Sequence, residues 1–86
     1  MKTYIVEDKI INLKTKETMI YYTGKDGYVH DFIEFVDGYK KPSFAQNKIN
    51  KELETGINMV KLDDNHGLEN DRWLHIYTIV EYMVAE

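Results

Sequence analysis

One stretch of the chain, residues 63–71, concentrates side chains that could do chemistry, because it holds four carboxylates and no Lys or Arg. The carboxylates belong to Asp63, Asp64, Glu69 and Asp71. Their oxygens would suit Ca²⁺, but an EF-hand loop counted from Asp63 needs Gly sixth and Glu twelfth, where this chain has Leu68 and Leu74. We therefore expect no metal site. The stretch is then either a solvated acidic loop or a negatively charged contact surface.

The histidines and hydroxyls form no recognisable catalytic motif. The chain has three histidines, His30, His66 and His75. None has a His or Glu partner at metalloprotease spacing. His30 with Asp31 and Glu34 could form a dyad, but ordinary polar groups of a loop are the simpler interpretation. No Gly-x-Ser-x-Gly motif or phosphate-binding loop is present. We expect no enzyme activity and no cofactor.

The distribution of charge bears on the class of partner. Residues 1–41 carry seven Lys and seven acids, whereas residues 42–86 carry four basic residues and eight acids, which accounts for the net charge of −4. Nucleic-acid binding draws its affinity from Lys and Arg at phosphates, so this balance argues against direct binding of nucleic acid. The absence of Cys fits a reducing compartment, and no apolar run is long enough for a signal peptide or membrane span. We expect a cytoplasmic protein.

Aromatic side chains are frequent, with seven Tyr, three Phe and one Trp. We expect Phe32, Phe35 and Phe44 to lie in the core and part of the tyrosines to be exposed. Tyr and Trp are enriched at protein–protein interfaces, because they combine a large rigid ring with a polar tip. The aromatic candidates for a contact surface are Tyr21, Tyr22, Trp73 and Tyr77. Cross-strand ladders are the alternative role for these tyrosines.

The segment 73–84 is an unbroken aromatic and β-branched run, which predicts one long strand. Its even-numbered side chains, from Leu74 to Val84, form the more apolar face and are predicted to face the core. Its odd-numbered side chains, from Trp73 to Met83, form a mixed face. A strand of this length is predicted to be central in the sheet, so we favour a monomer. A dimer through residues 73–84 is the alternative if the strand lies at an edge.

Residues 4–13 and 18–23 are predicted to form a β-hairpin. Neither parity of the first strand stays apolar, which indicates a β-bulge or a bend near Asp8. Residues 28–36 fit a strand or a helical turn, and we favour a short extended piece. A helix is predicted over 44–55, capped by Ser43 with Gln46 and stopped by a left-handed Gly56. Residues 61–72 are predicted to be a polar loop.

The helix has one apolar stripe, formed by Ala45, Ile49 and Leu53. Burying that stripe against a sheet predicts a single α+β domain over residues 1–86. The sheet is small and mainly antiparallel, with three or more strands, and the helix packs on one face. The predicted order is strand, strand, short element, helix, strand.

Five segments carry a resemblance of layout to small accessory proteins of Gram-positive phages and mobile elements. They are Tyr4-Ile5-Val6, Tyr22-Thr23-Gly24, Gly27-Tyr28-Val29, the Ser-capped helix, and Tyr77-Thr78-Ile79-Val80-Glu81. Such small acidic phage proteins include inhibitors of host defence systems, the anti-CRISPRs among them. The resemblance implies an accessory protein that binds a host protein, and it transfers no site residues. The charge of the 63–71 stretch predicts that this partner has a basic surface.

The leading hypothesis is a non-enzymatic interaction protein whose contact surface joins the acidic 63–71 stretch to aromatic residues of the sheet. The alternative is a small nucleic-acid-associated protein that uses lysines with nearby tyrosines. The lysines of that alternative are Lys9, Lys14, Lys16, Lys40 and Lys41.

Overall fold

A six-stranded antiparallel sheet with one helix on one face forms an α+β fold in the computed structural model, which describes residues 1–85. The elements are β1 (Lys2–Asn12), β2 (Thr18–Thr23), β3 (Val29–His30), a 3₁₀ turn (Ile33–Phe35), α1 (Pro42–Thr55), β4 (Met59–Lys61), β5 (His66–Glu69) and β6 (Trp73–Met83). The strands lie in the order β3-β2-β1-β6-β5-β4. The predicted fold class is confirmed, and the sheet has more strands than the minimum of three.

The centre of the sheet is the pairing of β1 with β6. The register runs without interruption from Lys2 opposite Met83 to Asn12 opposite Trp73. The predicted central position of the last strand is confirmed for its first half, where β1 pairs on one side and β5 pairs with Trp73–Ile76 on the other. The predicted bulge near Asp8 is wrong. Asp8 keeps its place in the ladder because a partner on β6 satisfies its carboxylate on the helix side.

The helix packs on the odd-numbered face of β6, so the predicted core face of this strand is wrong. The buried cluster consists of Val6, Ala45, Ile49, Leu53 and Tyr77. The apolar stripe of the helix is confirmed as its buried side. On the odd-numbered face Tyr77 and His75 are buried, and the imidazole of His75 is paired with the carboxylates of Asp8 and Glu69. The even-numbered side chains of β6 face away from α1.

The helix begins at Pro42, two residues before the predicted start. Lys41 is the N-cap residue and makes no side-chain capping bond, so the predicted Ser43 cap is wrong. Proline suits this first position because its missing N–H would have no partner inside the helix, and its φ is already helical. The predicted end at residue 55 is confirmed. Gly56 has φ of −61°, so the predicted left-handed stop at Gly56 is also wrong.

Two segments contain more regular structure than the sequence indicated. Residues 28–36 combine a two-residue strand, β3, with the 3₁₀ turn. The predicted loop over 61–72 contains β5, which pairs with both β4 and β6, so that prediction is wrong. Four residues are too few for a periodicity of two to stand out from the polar turns on either side. Within residues 1–85, no helix has the length and apolar character needed to cross a membrane.

Candidate functional site

The sheet face opposite α1, called the open face below, carries an apolar row across four strands. The pairing register places Val60 opposite Leu68, Leu68 opposite Leu74, and Leu74 opposite Ile11. Side chains that are directly opposite on one face of an antiparallel pair are in contact range, so these four form a continuous stripe. Val60 at the β4 edge is 55% exposed. No helix of residues 1–85 covers this stripe, because α1 lies on the other face.

A second row on the open face extends the apolar surface toward β2. Ile76 of β6 lies opposite Lys9 of β1, and Lys9 lies opposite Ile20 of β2. Ile20 is exposed and Ile76 is half-buried. The end of the open face near the start of β1 is covered, because Gly38 lies against the side chains of Thr3 and Ile5 and helps bury them. The uncovered part of the open face is therefore its apolar half near Ile11.

The helix face holds a buried charge cluster centred on His75. Its Nδ1 lies 2.9 Å from Asp8 Oδ1, and its Nε2 lies 2.7 Å from Glu69 Oε1. The imidazole stacks on the Tyr77 ring with centroids 5.8 Å apart. β1, β5 and β6 are adjacent in the sheet, so residues distant in sequence meet under the helix.

Both ring nitrogens of His75 face carboxylates, which favours the doubly protonated imidazolium. Burial alone lowers the pKa of His75, but the hydrogen bonds to Asp8 and Glu69 and their negative charge outweigh burial and raise it above its usual value. Burial also raises the pKa of the Tyr77 hydroxyl. An imidazolium that donates through both nitrogens has no free lone pair to accept a proton, so the arrangement suits ion pairing rather than general-base chemistry.

The cluster was missed by reasoning from the sequence, although one signal for it exists. Asp8 is an acid in the middle of a strand, between Val6 and Ile10 on the same parity, where a buried carboxylate requires a partner. His75 has the matching parity on the other long strand. Linking the two requires the β1–β6 register, which the sequence alone does not give.

The four acids of residues 63–71 lie at two ends of β5 and do not form one surface. Asp63 and Asp64 lie in the turn between β4 and β5, whereas Asp71 lies in the turn between β5 and β6. Glu69 is engaged by His75. Asp63 Oδ1 accepts a hydrogen bond from the Asn65 N–H and lies 2.8 Å from His66 Nδ1, and these contacts lower the pKa of Asp63. The side chain of Asp64 is 95% exposed.

The four aromatic candidates are also divided between the two faces. Tyr77 is buried beneath α1, and Tyr21 and Trp73 lie half-buried on that same face of the sheet. Tyr22 lies half-buried on the open face. The structure therefore does not join these rings to the acidic stretch as one site.

Three other rings lie outside the core, against expectation. The predicted burial of Phe32, Phe35 and Phe44 is wrong, because Val6, Tyr77 and the helix stripe already fill the space under α1. Phe32 and Phe35 pack edge to face, with centroids 6.1 Å apart, and both are exposed. An exposed aromatic pair near β3 is a feature typical of contact surfaces.

His30 and His66 are paired with acids close in sequence. His30 Nε2 lies 3.1 Å from Asp26 Oδ2, so its partner is neither Asp31 nor Glu34. No group of three or more His, Cys, Asp or Glu side chains within residues 1–85 is arranged to hold a metal ion. A cleft of about 110 Å³ lies beside Tyr77 between the sheet and Lys48 and Glu52 of the helix. It is smaller than the roughly 300–1,000 Å³ of typical ligand sites.

Comparison with known proteins adds no relative. No protein-family model, no curated protein and no solved structure matches this chain. The candidate site therefore rests on the geometry of the chain itself: an uncovered apolar sheet face, an exposed pair of Phe rings, and a buried ion cluster.

Proposed function

We propose that this chain is a non-enzymatic binding protein that contacts another protein through its open face. The observation that carries the proposal is the apolar stripe of Val60, Leu68, Leu74 and Ile11. A small chain gains stability by burying such a stripe, yet α1 covers the opposite face. Apolar surface left on a sheet face in this way is typical of a protein-binding site.

The charge of the open face favours a protein over a nucleic acid as partner. Lys9 lies within the second row, next to Glu7 on the same face of β1, and the whole chain carries a net charge of −4. A phosphate backbone would find few cations there. The surface is better suited to an apolar patch of a protein with polar groups around it.

The lysines of the nucleic-acid alternative are spread along the molecule. Lys14 and Lys16 lie in the turn after β1, whereas Lys40 and Lys41 follow Tyr39, which pairs with Tyr4 near the start of β1. Residues 4 and 12 of an extended strand are about 27 Å apart at 3.4 Å per residue. This separation disfavours one continuous basic patch.

The narrower form of the proposal is inhibition of a host defence protein, as the layout resemblance to phage accessory proteins implies. Its test is capture of partners from a Gram-positive lysate on immobilised chain, with and without nuclease. We expect capture that resists nuclease, is lost in a Val60→Ser, Ile20→Ser double variant, and persists in an Ile57→Ser control. Ile57 is 84% exposed and lies outside the strands. The control therefore replaces an exposed apolar side chain by Ser without changing the open face.

Two outcomes would contradict the proposal. Capture abolished by nuclease would favour the nucleic-acid alternative. Capture that is equal for the double variant and the Ile57→Ser control would show that the open face is not the contact surface. Circular dichroism of each variant checks that the fold is retained.

A further inference from the structure

Strand β6 has an uncovered edge over its second half. β5 pairs with β6 only from Trp73 to Ile76, and the ladder on that side ends with the bond from the Tyr77 N–H to the Asn65 carbonyl. No strand of residues 1–85 pairs with Thr78–Met83 on this side. Six residues of extended backbone, about 20 Å, are therefore open at the edge.

The hydrogen-bonding direction of each residue follows from the bonds at the two ends of the strand. The Val84 N–H bonds to Met1 on the β1 side, whereas the Tyr77 N–H bonds to Asn65 on the other side. Backbone groups alternate in direction along an antiparallel strand, so even-numbered residues bond to β1 and odd-numbered residues point away from it. Ile79 and Glu81 therefore present N–H and C=O groups outward, and they have no backbone partner within residues 1–85.

The surroundings of this edge define what could pair with it. At one end the edge meets the turn of residues 62–65, where the carboxylate of Asp64 is 95% exposed. Lys61 Nζ lies 3.9 Å from that carboxylate, the outer limit for an ion pair, so Asp64 stays available to a second cation. Along the strand, Ile79 and Val80 are half-buried and place an apolar side chain on each face.

We propose that the β6 edge, Thr78–Met83, binds an extended segment of a partner protein by strand addition. The segment contributes main-chain hydrogen bonds to Ile79 and Glu81, an apolar side chain beside Val80, and a basic side chain at the end that meets Asp64. The proposal rests on the proposed function, because it names how part of the same partner is held.

A second copy of this chain fits the edge less well than a basic segment. Each copy brings the acidic groups Asp64 and Glu81 to its own edge, so two edges meet with charges of the same sign. Lys2 neutralises part of the Glu81 charge, at 2.9 Å, but it belongs to the same ladder and is already engaged. Opposite charge on the partner strand removes this conflict.

The test uses two capped synthetic peptides in place of the partner segment, Lys-Thr-Val-Thr-Val-Lys and Glu-Thr-Val-Thr-Val-Glu. Their binding to the intact protein is followed by amide NMR. At saturating lysine peptide, exchange of the Ile79 and Glu81 amides is expected to slow by about tenfold or more. The glutamate peptide is expected to bind at least about fivefold more weakly.

A matched pair of variants separates the backbone from the side chain. Glu81→Pro removes an outward N–H without removing a β1 bond and is tolerated at an edge, whereas Glu81→Ala loses the same charge but keeps the N–H. Peptide binding should be lost in Glu81→Pro and retained in Glu81→Ala. An Asp64→Asn variant should bind the two peptides with nearly equal affinity.

Three results would overturn the inference. They are peptide-induced shifts on the open face instead of at Ile79 and Glu81, equal binding of both peptides to the wild type, and a dimer in light scattering that Glu81→Pro abolishes, which would assign the edge to a second copy. Capture of partners from the lysate distinguishes failure of the edge inference from failure of the proposed function. If Glu81→Pro still captures the partner while Val60→Ser with Ile20→Ser does not, the edge inference fails and the proposed function stands.

Discussion

Replacing His75 by Gln tests whether the buried ion cluster stabilises the fold. The imidazolium is shared by Asp8 and Glu69, whose side chains are 18% and 37% exposed. Gln can donate a hydrogen bond to one carboxylate, but it carries no charge for either. The variant therefore leaves two acids close together beneath the helix without their common cation.

The expected cost follows from the burial of the two acids. Removing one partner of a fully buried ion pair costs about 3–5 kcal/mol, because the remaining charge is left without compensation. Glu69 is partly exposed and can regain water, so we expect a cost below this range, about 2–3 kcal/mol. A chain of 86 residues has a total stability of about 4–13 kcal/mol, so the loss is large. It corresponds to a fall in Tm of about 10–20 °C.

The pH dependence of the Tm gives a second, independent test of the role of His75. The pKa of His75 is raised in the folded protein, so its contribution is fully present below the unfolded value of about 6.5 and is lost as pH rises through the folded pKa. The difference in Tm between wild type and His75→Gln should therefore be largest near pH 6 and shrink toward pH 9. Thermal unfolding followed by circular dichroism at several pH values measures it.

A control variant identifies the source of the effect. His66→Gln removes an exposed pairing with Asp63 and should leave the wild-type pH profile above pH 6 nearly unchanged. A stabilising role of His75 is refuted if the free energy of unfolding of His75→Gln is within about 0.5 kcal/mol of the wild-type value at pH 6, or if the Tm difference grows with rising pH.

Two further substitutions test the packing and the acidic residues. Leu53→Ala should lower the free energy of unfolding, measured by urea denaturation, by about 2–5 kcal/mol, because the Leu53 side chain of α1 is buried against Gly67 of the sheet. A loss below about 0.5 kcal/mol would contradict the observed packing. Glu69→Gln should lower the Tm in calorimetry, because it weakens the pairing with His75, whereas Asp64→Asn should leave the Tm unchanged. Equal Tm values for the two variants would show that the two acids have the same environment.

The parts of the fold that the sequence predicted are those with local causes. The stripe of Ala45, Ile49 and Leu53 has a helical period that needs no distant partner, and the β1–β2 hairpin is closed by a short polar turn. The start of the helix was misplaced because Ser43 matches a capping pattern, while Pro42 already sets the helical φ one residue earlier. Helix boundaries depend on such competition between neighbouring signals.

The face of β6 that packs against the helix could not be read from its own residues. Counting apolar side chains favours the even-numbered face, but His75 and Glu69 satisfy each other across strands and Asp8 comes from the other end of the chain. Polar residues can be buried once they are paired, so hydrophobicity along one strand does not decide its orientation. The acids of residues 63–71 are close in sequence but dispersed in the fold, because β5 separates Asp63 and Asp64 from Asp71.

The strand order also has a consequence for how the chain folds. β1, β2 and β3 form one meander and β6, β5 and β4 form another, each made of neighbours in sequence, and within the sheet the β1–β6 ladder joins them. Forming that ladder closes a loop of some 60 residues. The chain loses the entropy of loop closure before the contacts of the ladder stabilise it. We therefore expect the two meanders to form early and the seam between them, where Asp8 meets His75, to close last.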